Sequence, residues 1–386
     1  MVSDQNAHAL ADQIAGQVIA DFNKLPSKGK PIVKSNGVKE WTVLAGIVAL
    51  HDSDDLETAS IVTIAITTGV KALPDDIIAK HSKGRLLHDC HAEILAIRAL
   101  NRFLIDECMK VTQGIEESRY LHQAVNGGKF HLRDGISFAL YVSEPPCGDC
   151  SLELLHGEDD PDWELDETVE LTGGVLRGRD NYRISGRVRS KPGRRDSPMT
   201  LSKSCSDKLT VCQLKSLLNG MSSQIIDPKG IYLRFLVVPG DRHNEEGSQR
   251  CFRDRFRVES VEMSANYELN YFDTIRTGQT HQFQKSKEAT PSATSLIHLP
   301  HDHIQESIQK GLKEGFYSKK QYVRPNGESL LCRYQLFKQI QPLLLSYTDH
   351  YTELKKSNTE YQSIKLLAQE ALLNWCKTAT DDFKLD

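Results

Sequence analysis

Ala7, Leu10, Ala11, Ile14, Val18 and Phe22 recur at steps of three and four, so residues 3–24 read as an amphipathic helix. Ser3 or Asp4 offers an N-cap oxygen, and Pro26, Gly29 and Pro31 end the helix. Two apolar runs of strand length follow at 41–50 and 59–68. The acidic segment 51–57 joins them, which predicts an antiparallel hairpin. Residues 75–85 read as a loop. From 91 to 109 the positions Ile94, Leu95, Ile97, Leu100, Phe103 and Leu104 return to helical spacing. Gly127 and Gly128 mark a loop, a strand spans 136–143, and a second helix starts near Cys147. Residues 205–219 read as helix, 231–239 as a buried strand and 246–257 as an arginine-rich helix. Past about residue 300 the pattern turns helical, with periodic stretches at 328–345 and 359–377. Neither an internal repeat nor a clean linker divides the chain, so one domain over residues 1–386 is expected, with a helical C-terminal part.

Composition narrows the class. The chain has 386 residues, 39% of them hydrophobic and 26% charged, which excludes wholesale disorder. No run approaches the roughly 18 apolar residues of a membrane helix, so no membrane role is expected. A basic segment followed by an apolar one, the mark of a secretory leader, is not seen at the start. The nine cysteines are scattered and odd in number, which points to a reducing compartment, nucleus or cytoplasm, with some cysteines free to bind metal. No obligate protein partner is evident.

Net charge is −4, so a nucleic-acid partner would need a local basic surface. Residues 156–200 provide one. An acidic stretch at 158–170 gives way to Arg177, Arg179, Arg183, Arg187, Arg189, Lys191, Arg194 and Arg195, interleaved with glycines. This reads as a flexible insertion able to follow a phosphate backbone, with Arg187, Arg189, Lys191, Arg194 and Arg195 as candidate RNA contacts. The cluster Arg250, Arg253, Arg255 and Arg257 is a second candidate, balanced against pairing with acidic residues of the same chain.

The chemistry concentrates in two short segments. His91-Ala92-Glu93 is followed by Pro146-Cys147-Gly148-Asp149-Cys150. His-x-Glu then Pro-Cys-x-x-Cys is the signature of zinc-dependent nucleobase deaminases. Neither half is specific alone; both in this order, each at a predicted helix start, point to a zinc site. Nitrogen and thiolate ligands leave a fourth position on zinc for water, and Glu93 is placed to move protons. His91 and Glu93 lie about 200° apart around a helix, so His91 must precede the first regular turn to share a site with Glu93. From spacing alone the ligands are His91, Cys147 and Cys150. His88 and Cys90 are nearby, and local packing or hydrogen bonding is the preferred reading for both.

The segments HDCHAEILAIRAL (88–100), YVSEPPCGDC (141–150) and KPGRRD…SCSDK (191–208) resemble the adenosine deaminases acting on tRNA. That eukaryotic family makes inosine from adenosine 37 of alanine tRNA, and it shares a catalytic domain with the adenosine deaminases acting on double-stranded RNA. The resemblance runs weakly over nearly the whole chain. It implies a cytidine-deaminase-like α/β/α layered core with a central mixed sheet and an added helical C-terminal half. It replaces Cys150 by Cys205 as the third zinc ligand. It implies inositol hexakisphosphate enclosed behind the active site, held by Arg98, Lys208, Arg333, Tyr351, Lys355, Tyr361, Lys365 and Trp375. Ile97, Val211 and Cys212 depart from some relatives at that site. Lys71 matches a position near the active-site mouth. The expected partner is the anticodon stem-loop of alanine tRNA. The deaminase pattern begins within the first few residues, which favours the tRNA enzymes over editors with N-terminal RNA-binding modules. Deamination of another structured RNA, and a silent RNA-binding subunit with structural zinc, remain the alternatives.

Overall fold

In a computed structural model of the protein, the described residues are 4–51, 60–124, 128–155, 176–178, 183–191, 197–258, 264–319, 322–378 and 381–385. The first helix, α1 (Asp4–Lys24), forms as its periodicity requires. The predicted hairpin is present as β1 (Leu44–His51) and β2 (Ser60–Thr68), antiparallel partners from Leu44 opposite Thr68 to His51 opposite Ser60. Trp41 lies outside it, in a two-residue strand paired with Thr290–Pro291.

The hairpin belongs to an eight-stranded mixed sheet. Its other members are β3 (Ile136–Val142), β4 (Leu233–Pro239), β5 (Asp273–Thr277), β6 (Thr294–Leu299), β7 (Ile304–Gln309) and β8 (Leu312–Lys313). The spatial order is β5-β4-β3-β1-β2-β6-β7-β8. The pairs β3/β4 and β4/β5 are parallel, and the remaining neighbours are antiparallel.

Strand alternation sends side chains to both faces, and each face has its own helix. Leu44, Val48 and Leu50 pack with Leu10, Ile14, Val18 and Phe22 of α1. Ala45, Ile47 and Ala49 pack with Leu95, Ala96, Ala99 and Leu100 of helix α3 (Ala92–Thr112). Each such leucine, isoleucine or phenylalanine contributes about 1.5–3 kcal/mol when fully buried. At Gly46 a Cβ would lie 2.5 Å from a Val18 methyl, so glycine lets α1 approach the sheet.

Three expectations are corrected. Residues 75–85 are not all loop: α2 (Asp75–His81) forms there, with Asp75 and Asp76 in its first turn and Lys80 and His81 in its last, matching the helix dipole. The chain past residue 300 is not uniformly helical, because β7 and β8 complete the sheet edge before α5 (Arg333–Ile340), α6 (Tyr351–Ser357) and α7 (Thr359–Glu370). The segment near 246–257 is a short α-helix, Glu245–Gln249, running into a π-turn at Arg250–Asp254. The predicted helix at 205 is present as α4 (Cys205–Lys215), and the one after Cys147 is a 3-10 helix, Asp149–Leu155.

Candidate metal centre and active site

His91 is the N-cap of α3, with φ −69° and ψ 142°, so it is extended where regular helix would have turned it away from Glu93. It ends a short strand, Asp89–His91, that pairs with Val70–Ala72. The preceding turn contains Gly69, at φ +150°, where a Cβ would fall 2.1 Å from the Cys90 carbonyl oxygen. Only glycine brings these backbones so close. Gly69 O in turn accepts from Ala92 N at 3.0 Å, which ties the turn to the helix start.

Cys147 and Cys205 reach His91 from two other elements. Their Sγ atoms lie 3.7 and 3.6 Å from His91 Nδ1, and one atom from each of the three residues falls within 4.8 Å of the other two. Cys205 is the first residue of α4, whose N-cap Ser204 accepts from Asp207 N. The Cys205 N–H donates to Cys147 Sγ at 3.4 Å, so the positive helix end faces the thiol. Gly148, at φ +108°, permits this approach, since a Cβ there would meet Ser204 Oγ at 2.2 Å. Among the described residues this is the one group with the spacing to hold a metal ion.

Cys150 is turned the other way. Its Sγ lies 3.6 Å from Ser248 Oγ and contacts the buried Cys251. His88 binds Thr200 Oγ1 at 2.7 Å and sits 3.1 Å from Asp75, and Cys90 donates to Leu87 O at 3.6 Å, as local packing requires.

Glu93 is 3% exposed, and its Oε2 has no hydrogen-bond partner among the described residues. Burial, then the charge of Cys147, push its carboxyl up. A hydrogen bond from Cys205 outweighs burial at Cys147 and, with Lys191 and His91, holds that thiol well below its usual range. A buried carboxylate with one oxygen unpartnered beside two thiols and an imidazole fits a bound metal and water; without them that oxygen would be a desolvation cost with no return.

Sequence reasoning missed what lies behind the ligands. Lys191 Nζ donates to Cys205 Sγ at 3.3 Å and to both Asp89 oxygens at 2.8 and 2.7 Å. Lys208 and Ser202 bind the same carboxylate. Burial works to raise the Asp89 carboxyl, but Lys191 and Lys208 outweigh it and hold it well below the usual range. The available signal was Asp89 itself, a charged residue two positions before His91 on a strand.

The basic insertion is therefore corrected in part. Lys191 is 2% exposed and Arg189 0%, and both are anchored inside the fold rather than turned to solvent. Arg189 N donates to Asp207 Oδ2 at 2.9 Å and its guanidinium to the Gly178 and Ile184 carbonyls. Arg187 is half-buried, and Arg194 and Arg195 lie outside the described residues, as does the acidic stretch 158–170. Three of the second arginine cluster pair internally, Arg250 with Asp149 and Glu153, Arg255 with Asp207 and Arg253 with Asp273, while Arg257 is exposed and bonds the Asp254 carbonyl. Lys71 is exposed, in register with Cys90.

On the far side of Asp89 opens a cavity of about 650 Å³. All eight residues named for the polyphosphate line it: Arg98, Lys208, Arg333, Tyr351, Lys355, Tyr361, Lys365 and Trp375. Lys203, Lys215 and Lys377 add cations that were not foreseen, against the carboxylates Asp89 and Asp381. Ile97, Val211 and Cys212 also line it. Burial, with Lys355, Lys215 and Arg333 nearby, pushes the Lys365 ammonium down to about 8. So many cations around one cavity fit a polyanion, whose charge would offset their mutual repulsion.

Residues 65–379 match the adenosine-deaminase (editase) domain. The chain is 33% identical to tRNA-specific adenosine deaminase 1 of Schizosaccharomyces pombe, covering 99% of this chain and 98% of the relative. The Saccharomyces cerevisiae protein of the same name is 32% identical, with 97% and 94% covered. The double-stranded RNA-specific adenosine deaminase of Rattus norvegicus is 28% identical over 59% of this chain and 19% of its own length. With a match that takes in His91, Glu93, Cys147 and Cys205, the chain belongs to the adenosine-deaminase (editase) domain family.

Proposed function

We propose that the protein is a zinc-dependent adenosine deaminase that converts adenosine to inosine in tRNA, at adenosine 37 of alanine tRNA. The observation that carries the chemistry is Glu93, buried with its Oε2 unpartnered beside His91, Cys147 and Cys205. The substrate rests on likeness to two yeast tRNA-specific adenosine deaminases over nearly their whole lengths. The layering of α1 and α3 on the two sheet faces supports the cytidine-deaminase-like core expected from the sequence. No helix among the described residues is long and apolar enough to cross a membrane.

His91, Cys147 and Cys205 would hold zinc, which would supply hydroxide near neutral pH by lowering the pKa of its water to about 7. Glu93, with its free Oε2, would take up the proton released by the attacking water. It would pass that proton to the adenine ring nitrogen as the hydroxyl oxygen bonds to C6, then carry the proton of the added hydroxyl to the C6 amino group, which departs as ammonia when the C6–N bond breaks. Lys191 and Asp89 fix the position of Cys205 from behind. The turn at Gly69 fixes the helix start that carries His91 and Glu93.

The second cavity takes inositol hexakisphosphate in this reading. Lys365, Lys355, Lys215 and Arg333 neutralise phosphate charge, and Tyr351 and Tyr361 offer hydroxyls. A pH prediction follows for Lys365. Its folded value, about 8 without polyanion, lies below its unfolded value near 10.5. Between those values the unfolded chain binds more protons, so the polyanion-free protein gains stability as pH rises, by roughly 3 kcal/mol. With inositol hexakisphosphate bound, the gain disappears. Urea midpoints at the two ends of that window, with and without the polyanion, measure it. A slope that is the same in both states would remove Lys365 from the polyanion site.

The substrate is tested by incubating the protein with unmodified total tRNA and sequencing for A-to-G changes. Conversion next to the alanine anticodon is expected. Conversion elsewhere in tRNA keeps the chemistry and overturns the site preference. No conversion in tRNA but activity on another structured RNA moves the assignment to that substrate.

A further inference from the structure

A continuous ridge of aromatic and basic side chains runs away from the candidate centre. Lys310 Nζ lies 3.8 Å from the ring centroid of Tyr317. Tyr317 meets Tyr322 edge-on at 4.9 Å, and Tyr322 stacks on His81 at 4.7 Å with 7° between planes. Both tyrosines pack on the buried cluster of Ile78, Leu86 and Leu312, so the ridge is rooted in the fold. Its outer side is cationic. Lys80, His81, Lys83, Lys310 and Arg324 are exposed. The acidic group beside it is Asp76, 3.8 Å from Lys80, and the exposed Glu314 follows Lys310 in sequence.

The inner end of the ridge reaches the catalytic region. Lys71 and Lys310 line one small crevice together with Cys90. Lys71 is in register with Cys90 and Val70 with His91, so the cationic run begins one residue from a candidate metal ligand. A chain of net charge −4 gains nothing in solubility from concentrating cations beside its active site. A polyanion that presents one group to Glu93 and more charge beyond it does explain the placement. Phosphate contacts of this kind fix register and orientation without reading sequence. The tyrosine beneath Lys310 holds its ammonium in place by cation–π attraction.

We propose that this ridge docks the phosphate backbone of the RNA substrate flanking the reactive adenosine, with Lys83 and Lys310 as phosphate contacts. The proposal rests on the RNA-deaminase reading given above. The test is the double variant K83Q/K310Q of the full-length protein, compared with wild type on an unmodified alanine tRNA transcript. Both side chains are exposed, so the thermal midpoint is expected to stay at the wild-type value. The slope of log affinity against log salt should fall by about two, and the KM for deamination should rise roughly tenfold. An unchanged slope and KM overturn the ridge. A variant that keeps the RNA slope but loses affinity for poly-glutamate reassigns the surface to an acidic protein partner. If wild type binds the transcript but deaminates no site in it, the substrate assignment falls, and the salt slope still decides the ridge. A wild-type protein that binds no RNA overturns both.

Discussion

Deamination is expected to fall by roughly 10³-fold or more when Glu93 is replaced by glutamine, with metal content and RNA affinity close to wild type. Glutamine matches the shape of glutamate and can still accept a hydrogen bond. It cannot take up a proton near neutral pH, and proton movement is the role assigned to this side chain. The carboxylate is 3% exposed, and Oε2 is satisfied by no other described residue, so the variant breaks no structural hydrogen bond at that atom. Stability carries an independent sign. Burial raises the Glu93 carboxyl in the folded protein, which means the native state bears a penalty for its charge above the unfolded pKa. Glu93→Gln removes that charge, so the thermal midpoint should hold or rise while turnover is lost. Activity near the wild-type level would take Glu93 out of the chemistry and give the centre a structural role.

The catalytic residues were legible because their chemistry forces their spacing. His91 and Glu93 cannot meet one site from mid-helix, and the extended backbone at His91 resolves that conflict as the sequence required. Cys205 was different. It lies far along the chain from Cys147, and only resemblance pointed to it; spacing alone favoured Cys150. What brings Cys205 in is the close approach of two loops at Gly148, where no residue with a Cβ would fit, and a lone glycine in a sequence does not announce that contact.

The basic insertion failed for a related reason. A run of arginines and lysines reads as a solvated surface, because burying a cation unpaired is costly. Lys191 and Arg189 are buried nonetheless: Asp89 takes the Lys191 ammonium, the Gly178 and Ile184 carbonyls take the Arg189 guanidinium, and Asp207 takes the Arg189 backbone N–H. Each of those carboxylates sits two residues from a candidate metal ligand, Asp89 before His91 and Asp207 after Cys205. The pairing joins segments about a hundred residues apart in one case, which no local pattern can display. The strands β6 to β8 were missed on other grounds. Their turn is built from Pro300–Asp302 with His303 in the left-handed region, and polar positions such as Gln305 and Glu306 dilute the apolar alternation that marks a strand.

The choice between Cys205 and Cys150 gives the second large effect. Cys205→Ala should lose most of its zinc, from about one ion per chain, and with it essentially all deaminase activity. Cys150→Ala should keep both. Removing Cys205 Sγ leaves His91 and Cys147 alone, two ligands where zinc sites use three or four. It also strips Lys191 of its thiol partner, though Lys191 retains both oxygens of Asp89 and so stays paired. The fold at the N-terminus of α4 is therefore expected to persist, held by Ser204 and Asp207. Cys150 faces Ser248 and Cys251 in the interior, so its truncation costs packing, about 1 kcal/mol, and no metal. Metal analysis of both purified variants, beside their thermal midpoints, separates loss of a ligand from loss of the fold. Zinc retained in Cys205→Ala and lost in Cys150→Ala would return the site to the plain Cys-x-x-Cys pair and require the 3-10 helix after Cys147 to rotate when metal binds.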